Sequence, residues 1–239
     1  MKEYYEKFVE KHWVLDKNNN FFQSILDPEN KCILDIGCGW GHKTHYLTKK
    51  NTVIGFDILY NLLKSAKNNK IRGVCATADT TLPFKNDVFD MVICSEVLEH
   101  LVLPENIIKE IKRIVKKEGL AFITIPNTFT MMNRINILFG CSLEEKIGYN
   151  TPFKEFNTPH IRFFTWAGFK YFLNKNGFII SSNYSHMIPS VPHFSLKFFN
   201  YNIVSPLNKI LWVLVQRIFK YKYPSLFSTS FWVLCKIEK

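Results

Sequence analysis

The chain has 239 residues, enough for one domain with a buried core, and 47% of them are hydrophobic. Its 31 lysines and arginines outnumber its 20 acidic residues, which gives a formal net charge of +11 at pH 7. This composition excludes an intrinsically disordered chain, and the basic balance fits either anionic partners or an ordinary basic surface. No run of apolar residues is long enough for a membrane-spanning helix.

The cysteines and the N-terminal residues indicate the cellular compartment of the protein. The six cysteines form no CxxC pair and show no cysteine–histidine spacing typical of zinc sites. We therefore expect free thiols, no metal site and a reducing environment. The first residues, MKEYYEKFVEKHW, are too charged for a signal peptide. These features predict a cytoplasmic protein.

The predicted strands are short apolar runs rich in Ile, Val and Phe. They are Cys32–Ile36, Thr52–Phe56, Val74–Ala78, Met91–Cys94 and Leu120–Ile125, with a late strand at Ser228–Glu238. One helical pattern begins after Pro104 and is predicted to end at a Gly119 cap. Another begins at Thr165 as N-cap and ends at Gly177. Strands that alternate with helices predict a doubly wound α/β fold, with a mostly parallel sheet and helices on both faces.

Two segments interrupt this alternation, at about 128–164 and 188–227. The first has little hydrophobic periodicity, and the second is dense in aromatic residues and prolines. The chain contains no internal repeats. We expect a single domain, residues 1–239, with these two segments inserted on the substrate side of the sheet.

Three alternate glycines, Gly37, Gly39 and Gly41, follow the first predicted strand in the sequence LDIGCGWG. Glycine weakens strands and helices, so its repeated use here indicates a backbone whose N–H groups approach a ligand ahead of a helix. The alternative is a tight turn that binds no ligand. The spacing is GxGxG, and His42 stands where the dinucleotide motif GxGxxG has its third glycine, which disfavours NAD. Asp57, at the end of the second strand, can accept hydrogen bonds from both hydroxyls of a ribose.

Two further segments follow in order along the chain, ATADTT from Ala76 and FDMVICSEVLEHL from Phe89. Together with LDIGCGWG they resemble the class I S-adenosylmethionine-dependent methyltransferases, of the small-molecule, type 11 kind. The resemblance covers roughly residues 30–127. It implies a Rossmann-like sheet of seven strands with the last strand antiparallel, S-adenosylmethionine as cofactor and methyl transfer as the activity.

The resemblance also assigns cofactor contacts, first around the methionine portion. Asp35 is implied to help hold the amino end, although it is also suited to partnering a helix dipole. Gly37, Cys38 and Gly39 are implied to form the backbone wall of this pocket. Ser95, which closes the fourth strand, is implied to place its backbone near the sulfonium.

Four more positions are implied to contact the adenosine portion. Asp57 is implied to bind the ribose and Ile58 to pack on the adenine face. Asp79, with Ala78 before it, is implied to accept a hydrogen bond from the adenine amine. The alternative for Asp79 is an ordinary turn residue.

Two histidines are the candidate catalytic residues. Methyl transfer from a sulfonium mainly requires alignment of the reacting atoms, but a hydroxyl acceptor would also benefit from a base. We prefer His160 for this role, because HIRFFTWAGF resembles a methyltransferase segment whose histidine lies towards the mouth of the active site. The alternative for His160 is a positional or structural role. We expect His100, in SEVLEHL, chiefly to close the pocket, with contact to substrate as the alternative.

The predicted function is O-methylation of a small, lipid-like or lipid-linked glycan acceptor. Two alternatives are an NAD-dependent oxidoreductase and a non-catalytic module that associates with membranes or proteins and retains the nucleotide pocket. Nucleic acid is not expected as the substrate, because the chain has neither an RNA-binding module nor an NPPY-like motif.

Residues 203–222 show an amphipathic helical pattern. Leu207 and Leu214 fall on one side, and Lys209 and Arg217 fall on the other. Such a helix can pack on its own domain, cover an acceptor pocket or lie on an anionic membrane surface. We expect the segment to shape the acceptor site and to permit peripheral membrane contact.

Overall fold

A computed structural model describes residues 20–138, 160–185 and 223–239. The predicted amphipathic segment 203–222 and most of the two predicted insertions lie outside these residues. Within the described part of the chain, no helix combines the length and the apolar character needed to cross a membrane.

Seven strands form one sheet. They are β1 (Cys32–Ile36), β2 (Thr52–Asp57), β3 (Arg72–Cys75), β4 (Phe89–Ser95), β5 (Val115–Pro126), β6 (Phe178–Asn183) and β7 (Ser230–Ile237). Their order across the sheet is β3-β2-β1-β4-β5-β7-β6. The first five strands pair in parallel, whereas β7 runs antiparallel to both β5 and β6. This confirms the predicted seven-stranded, mostly parallel sheet with an antiparallel last strand.

The helices lie between these strands in the chain, except the first, which precedes β1. They are α1 (Asn20–Ile25), α2 (Tyr60–Ala66), α3 (Pro104–Ile114), α4 (Met131–Leu138), α5 (Trp166–Lys175) and α6 (Pro224–Phe227), with short 3-10 helices at His45–Lys49, Lys67–Asn69 and Leu98–His100. Thr165 caps α5 as predicted, because its hydroxyl accepts a hydrogen bond from the Gly168 N–H at 3.1 Å. Helix α4 was not predicted, because it lies in a stretch whose sequence shows little hydrophobic periodicity.

Alternation along the strands divides the core between the two faces of the sheet. Leu34 of β1 and Val92 of β4 pack in one cluster with the isoleucines of α3 and with Phe169 of α5. Ile33, next to Leu34 in the chain, packs in the opposite cluster with Phe22 of α1. Because neighbouring side chains of a strand point to opposite faces, one apolar run supplies both cores. The predicted helices on both faces are confirmed.

Several predicted boundaries differ from the structure, and strand pairing explains the two at β3 and α3. Strand β3 ends at Cys75, before the predicted end, because Cys75 pairs with Asp57 and β2 stops there. Helix α3 ends at Ile114, since the next residue already pairs with β4. Gly119 therefore lies inside β5 and is not a helix cap, and a Cβ there would come within 2.5 Å of the Val115 side chain.

Candidate functional site

The site lies at the carboxyl ends of β1 and β4, where the strand order reverses. In a doubly wound sheet the connections leave in opposite directions at this point, so a crevice opens between them. The glycine turn after β1 lies on one side of the crevice. The segment Glu96–His100, which follows β4, lies on the other.

Both the backbone conformation and the packing of this turn require glycine. Gly37 and Gly41 have φ values of +71° and +77°, in the left-handed region that side chains disfavour. A Cβ on Gly41 would lie 2.2 Å from Cδ1 of Ile71, and one on Gly37 would lie 2.5 Å from Cγ2 of Val97. The turn therefore depends on glycine for its own shape, in addition to any ligand it contacts.

Hydrogen bonds within the protein occupy the N–H groups that we expected to face a ligand. The N–H groups of Gly37 and Cys38 donate to the Phe56 carbonyl at 2.7 and 3.3 Å. The N–H of Gly39 donates to the Asp57 carboxylate at 2.9 Å. The element after the turn is the short 3-10 helix His45–Lys49 rather than a long α-helix. The turn thus shapes the crevice, and Asp57 fastens it to β2.

Asp57 and Ile58 together have the chemistry that a nucleoside requires. The Asp57 carboxylate accepts from the N–H groups of Gly39 and Leu59, each at 2.9 Å. A carboxylate has about four lone-pair directions, so further capacity for ribose hydroxyls remains. Burial raises the pKa of the Asp57 carboxyl, while its backbone hydrogen bonds oppose that shift. Ile58 is 45% exposed and offers an apolar surface to a base.

Ala78 and Asp79 lie on the loop after β3. This loop starts beside Asp57, because the Ala76 N–H donates to the Asp57 carbonyl at 3.1 Å. Asp79 is exposed, and its carboxylate accepts from the Thr77 hydroxyl at 3.2 Å. An exposed carboxylate at this edge of the crevice can accept a hydrogen bond from an amine of a bound base.

Asp35 and Ser95 lie deeper, at the ends of the two central strands. Asp35 is only 4% exposed and accepts a hydrogen bond of 2.6 Å from the Thr44 hydroxyl. Burial raises the pKa of its carboxyl to about 7. The Ser95 hydroxyl accepts from the Lys43 ammonium at 3.1 Å and shares a 2.9 Å hydrogen bond with Thr124. Neither Lys43 nor Thr124 was predicted from the sequence, since no local pattern marks their contacts.

The raised pKa of Asp35 makes stability depend on pH. The folded chain keeps a proton on Asp35 that the unfolded chain, with a pKa near 3.8, releases from about pH 4 upward. The stability contributed by Asp35 is therefore present at low pH and lost as the pH rises towards about 7. We expect the free energy of unfolding to fall by about 2 kcal/mol between pH 5 and pH 7 through this residue.

The Asp35→Asn variant should lack that part of the pH dependence, because its side chain does not titrate. Urea unfolding of the wild type and the variant at several pH values measures the difference, and Asp27→Asn, at an exposed aspartate, serves as the control. Equal slopes for the wild type and Asp35→Asn would show that Asp35 is ionised in the folded chain.

The two candidate catalytic histidines come together in the structure. The ring centroids of His100 and His160 lie 5.0 Å apart. The N–H groups of Ile161 and Arg162 donate to the Glu99 carbonyl at 2.9 and 3.1 Å, and the Arg162 guanidinium donates to the Val102 carbonyl. These bonds join the segment before α5 to the segment after β4, and so place both histidines at one end of the crevice.

Glu99 belongs to the same cluster and was not predicted from the sequence. Its side chain is fully buried, and neither carboxylate oxygen accepts a hydrogen bond from the described residues. Burial, together with the nearby charge of Glu96, raises the pKa of the Glu99 carboxyl well above its ordinary range. The signal in the sequence was an acidic residue beside His100, directly after a buried strand.

Comparisons with known proteins agree with this geometry. Residues 34–123 match a family described as a methyltransferase domain. An uncharacterized protein of Methanocaldococcus jannaschii is 36% identical over 170 residues, which cover 68% of this chain and 63% of that protein. A ubiquinone biosynthesis O-methyltransferase of Glaesserella parasuis is 30% identical over 127 residues, which cover 48% of this chain and 50% of that enzyme.

A solved structure of an S-adenosylmethionine-dependent methyltransferase from Archaeoglobus fulgidus has the same fold. It is 19% identical, with a TM-score of 0.61 over 98% of this chain and 99% of that one. The chain spans between half and two thirds of the length of the two curated relatives. The family match runs from β1 into β5 and includes both sides of the crevice. Residues 34–123 therefore belong to the methyltransferase-domain family, and the chain has the fold of the class I S-adenosylmethionine-dependent methyltransferases.

Proposed function

We propose that this protein transfers a methyl group from S-adenosylmethionine to a hydroxyl oxygen of a small, apolar acceptor. The observation that carries the proposal is that nucleoside-type groups and the histidine cluster share one crevice. Lys43 follows the glycine turn, and its ammonium donates to the Ser95 hydroxyl at the end of β4 at 3.1 Å, so the two sides of the crevice are in contact there. A cofactor held at β1 and β2 would therefore have its reactive end close to the cluster after β4.

The cofactor-binding roles in this proposal fall to the residues that line the first side of the crevice. Asp57 would bind the ribose, Ile58 would pack on the adenine, and Asp79 would accept from its amine. Asp35 and Ser95, at the ends of β1 and β4, would lie near the methionine portion. When bound, S-adenosylmethionine supplies a methyl group that leaves the sulfonium sulfur and bonds to the acceptor oxygen. The protein contributes alignment and the exclusion of water.

The proton of a hydroxyl acceptor would be removed at the cluster. His160 remains the preferred base, because it is partly exposed at the end of the crevice, whereas Glu99 is fully buried. His100, with 18% of its side chain exposed, is placed to close the pocket beside it. An imidazole that meets an acceptor hydroxyl can take its proton as the methyl group is transferred.

Exposed apolar side chains support an apolar acceptor. Val102 and Leu103 follow His100 and are 53% and 56% exposed, while Ile161 and Phe163 follow His160 and are 47% and 39% exposed. The hydrogen bonds from Ile161 and Arg162 to Glu99 hold these two short segments side by side. One similar protein is by its name an O-methyltransferase of ubiquinone biosynthesis, which also favours an apolar acceptor.

Narrower predictions rest on the sequence alone. A lipid-linked glycan acceptor, peripheral membrane contact through 203–222 and a cytoplasmic location stay predictions, as does the expectation that nucleic acid is not the substrate. The amphipathic pattern, which is the basis for membrane contact, falls outside the described residues.

Isothermal titration calorimetry with three ligands tests the proposal. We expect saturable binding of S-adenosylmethionine and S-adenosylhomocysteine, and no measurable heat with NAD, because the turn lacks the third glycine of a dinucleotide site. Binding of NAD alone would favour the oxidoreductase alternative. Absence of binding by all three ligands would favour a non-catalytic module.

A further inference from the structure

We infer that Glu99, His100 and His160 form a binding site for one divalent metal ion of the first transition series. Each residue offers one ligand atom, and these atoms all lie within 4.8 Å of one another. The pairing of two imidazoles with one carboxylate suits Mn²⁺, Fe²⁺, Co²⁺ and Zn²⁺. This inference departs from the expectation of no metal site, which relied on ligand spacing along the sequence.

The geometry is close to what an ion would need. Nε2 of His100 lies 3.7 Å from Oε1 of Glu99, and the two imidazole centroids are 5.0 Å apart. Ligand atoms bonded to one ion at about 2.1 Å stand roughly 3.4 Å from one another in a tetrahedral arrangement. Small side-chain rotations would therefore close the cluster around an ion. Because His100 and His160 are both partly exposed, positions on the solvent side stay open for another ligand.

Glu99 supplies an independent reason to expect a cation. A fully buried carboxyl that accepts no hydrogen bond from the described residues is costly, unless it is protonated or meets a positive charge. Glu96, three residues earlier, differs in this respect, because its carboxylate accepts from the hydroxyls of Thr124 at 3.0 Å and Ser230 at 2.8 Å. The carboxyl group without such partners is the one that faces the two histidines.

The ion would refine the proposed function, and this part of the inference rests on that function. A divalent ion lowers the pKa of an oxygen bound to it. An acceptor hydroxyl that occupied an open position would release its proton to water and be aligned for methyl transfer. His160 would then act as a ligand rather than as the direct base.

Manganese binding tests the site without any acceptor. Untagged protein is stripped with a chelator and titrated with Mn²⁺, while electron paramagnetic resonance measures the free ion. Mn²⁺ is the probe because the free cysteines would compete for softer ions such as Zn²⁺. We expect the wild type to bind a single Mn²⁺ per chain, and Glu99→Gln to lower the affinity by more than about tenfold.

Two further variants show whether Mn²⁺ binds at this site. Glu105→Gln replaces an exposed glutamate on α3 and should bind Mn²⁺ like the wild type. His160→Ala, at a partly exposed position, should bind as weakly as Glu99→Gln while retaining the wild-type circular dichroism spectrum. Absence of saturable binding by the wild type would overturn the inference, as would equal affinities for the wild type and Glu99→Gln.

A second measurement separates this inference from the proposed function. If the stripped protein binds S-adenosylmethionine and transfers methyl groups as fast as protein with Mn²⁺ restored, the role of the ion is wrong and the proposed function stands. If the wild type binds Mn²⁺ through Glu99 but does not bind S-adenosylmethionine, the metal site stands and the proposed function is wrong.

Discussion

Replacing Asp57 with alanine is expected to lower the affinity for S-adenosylmethionine more than a hundredfold. In the proposed complex, the Asp57 carboxylate accepts a hydrogen bond from each of the two ribose hydroxyls. The loss of two such bonds to a charged acceptor costs about 3 kcal/mol, which corresponds to that change in affinity. Calorimetry on the wild type and the variant measures the effect directly.

The structure adds a complication that the experiment must control. Asp57 also holds the glycine turn, because its carboxylate accepts from the N–H groups of Gly39 and Leu59. Circular dichroism and thermal unfolding will show whether Asp57→Ala remains folded, and Asp27→Ala, at an exposed aspartate, is the matched control. A folded Asp57→Ala protein that bound S-adenosylmethionine like the wild type would show that the cofactor lies elsewhere.

Asp57→Asn separates the two roles of the residue. Asparagine keeps the size of the side chain and one acceptor oxygen, so it can preserve part of the turn, but it removes the negative charge. We expect an affinity for S-adenosylmethionine between those of the wild type and Asp57→Ala. An Asn variant as weak as Asp57→Ala, with an intact fold, would assign the effect mainly to the charge.

Replacing His160 with alanine is expected to lower turnover by about a hundredfold or more, with the affinity for S-adenosylmethionine nearly unchanged. The reason is that His160 acts on the acceptor, either as base or as metal ligand, and lies apart from the residues assigned to the nucleoside. Turnover is followed with radiolabelled S-adenosylmethionine and the best acceptor from a panel of alkylated phenols. Binding of the cofactor is measured by calorimetry on the same preparations.

A histidine outside the cluster provides the matched control. His45 is exposed, lies on the 3-10 helix after the glycine turn, and has no assigned contact with the acceptor. His45→Ala should therefore keep most of the wild-type turnover. If His160→Ala kept it too, His160 would be structural, or the acceptor would need no base.

The sequence by itself determined the parallel core of the sheet and the position of the crevice. Strand β1 begins and ends where the apolar run Cys32–Ile36 predicts, and the glycine turn follows it at once. These features depend on neighbours in the chain, such as an apolar run buried on both faces and residues with positive φ. The order of the polar residues at the strand ends was therefore predictable, as was the family resemblance that they carry.

Only the tertiary structure decided where the elements end and which side chains meet. Strand β3 stops where its partner β2 stops, and the hydrogen bond from Gly39 to Asp57 links residues on two different strands. The cluster of Glu99, His100 and His160 forms because the segment after His160 donates hydrogen bonds to the backbone carbonyl of Glu99, about 60 residues earlier. Contacts between residues so far apart depend on the packing of the whole sheet, and no local pattern of residue types encodes them.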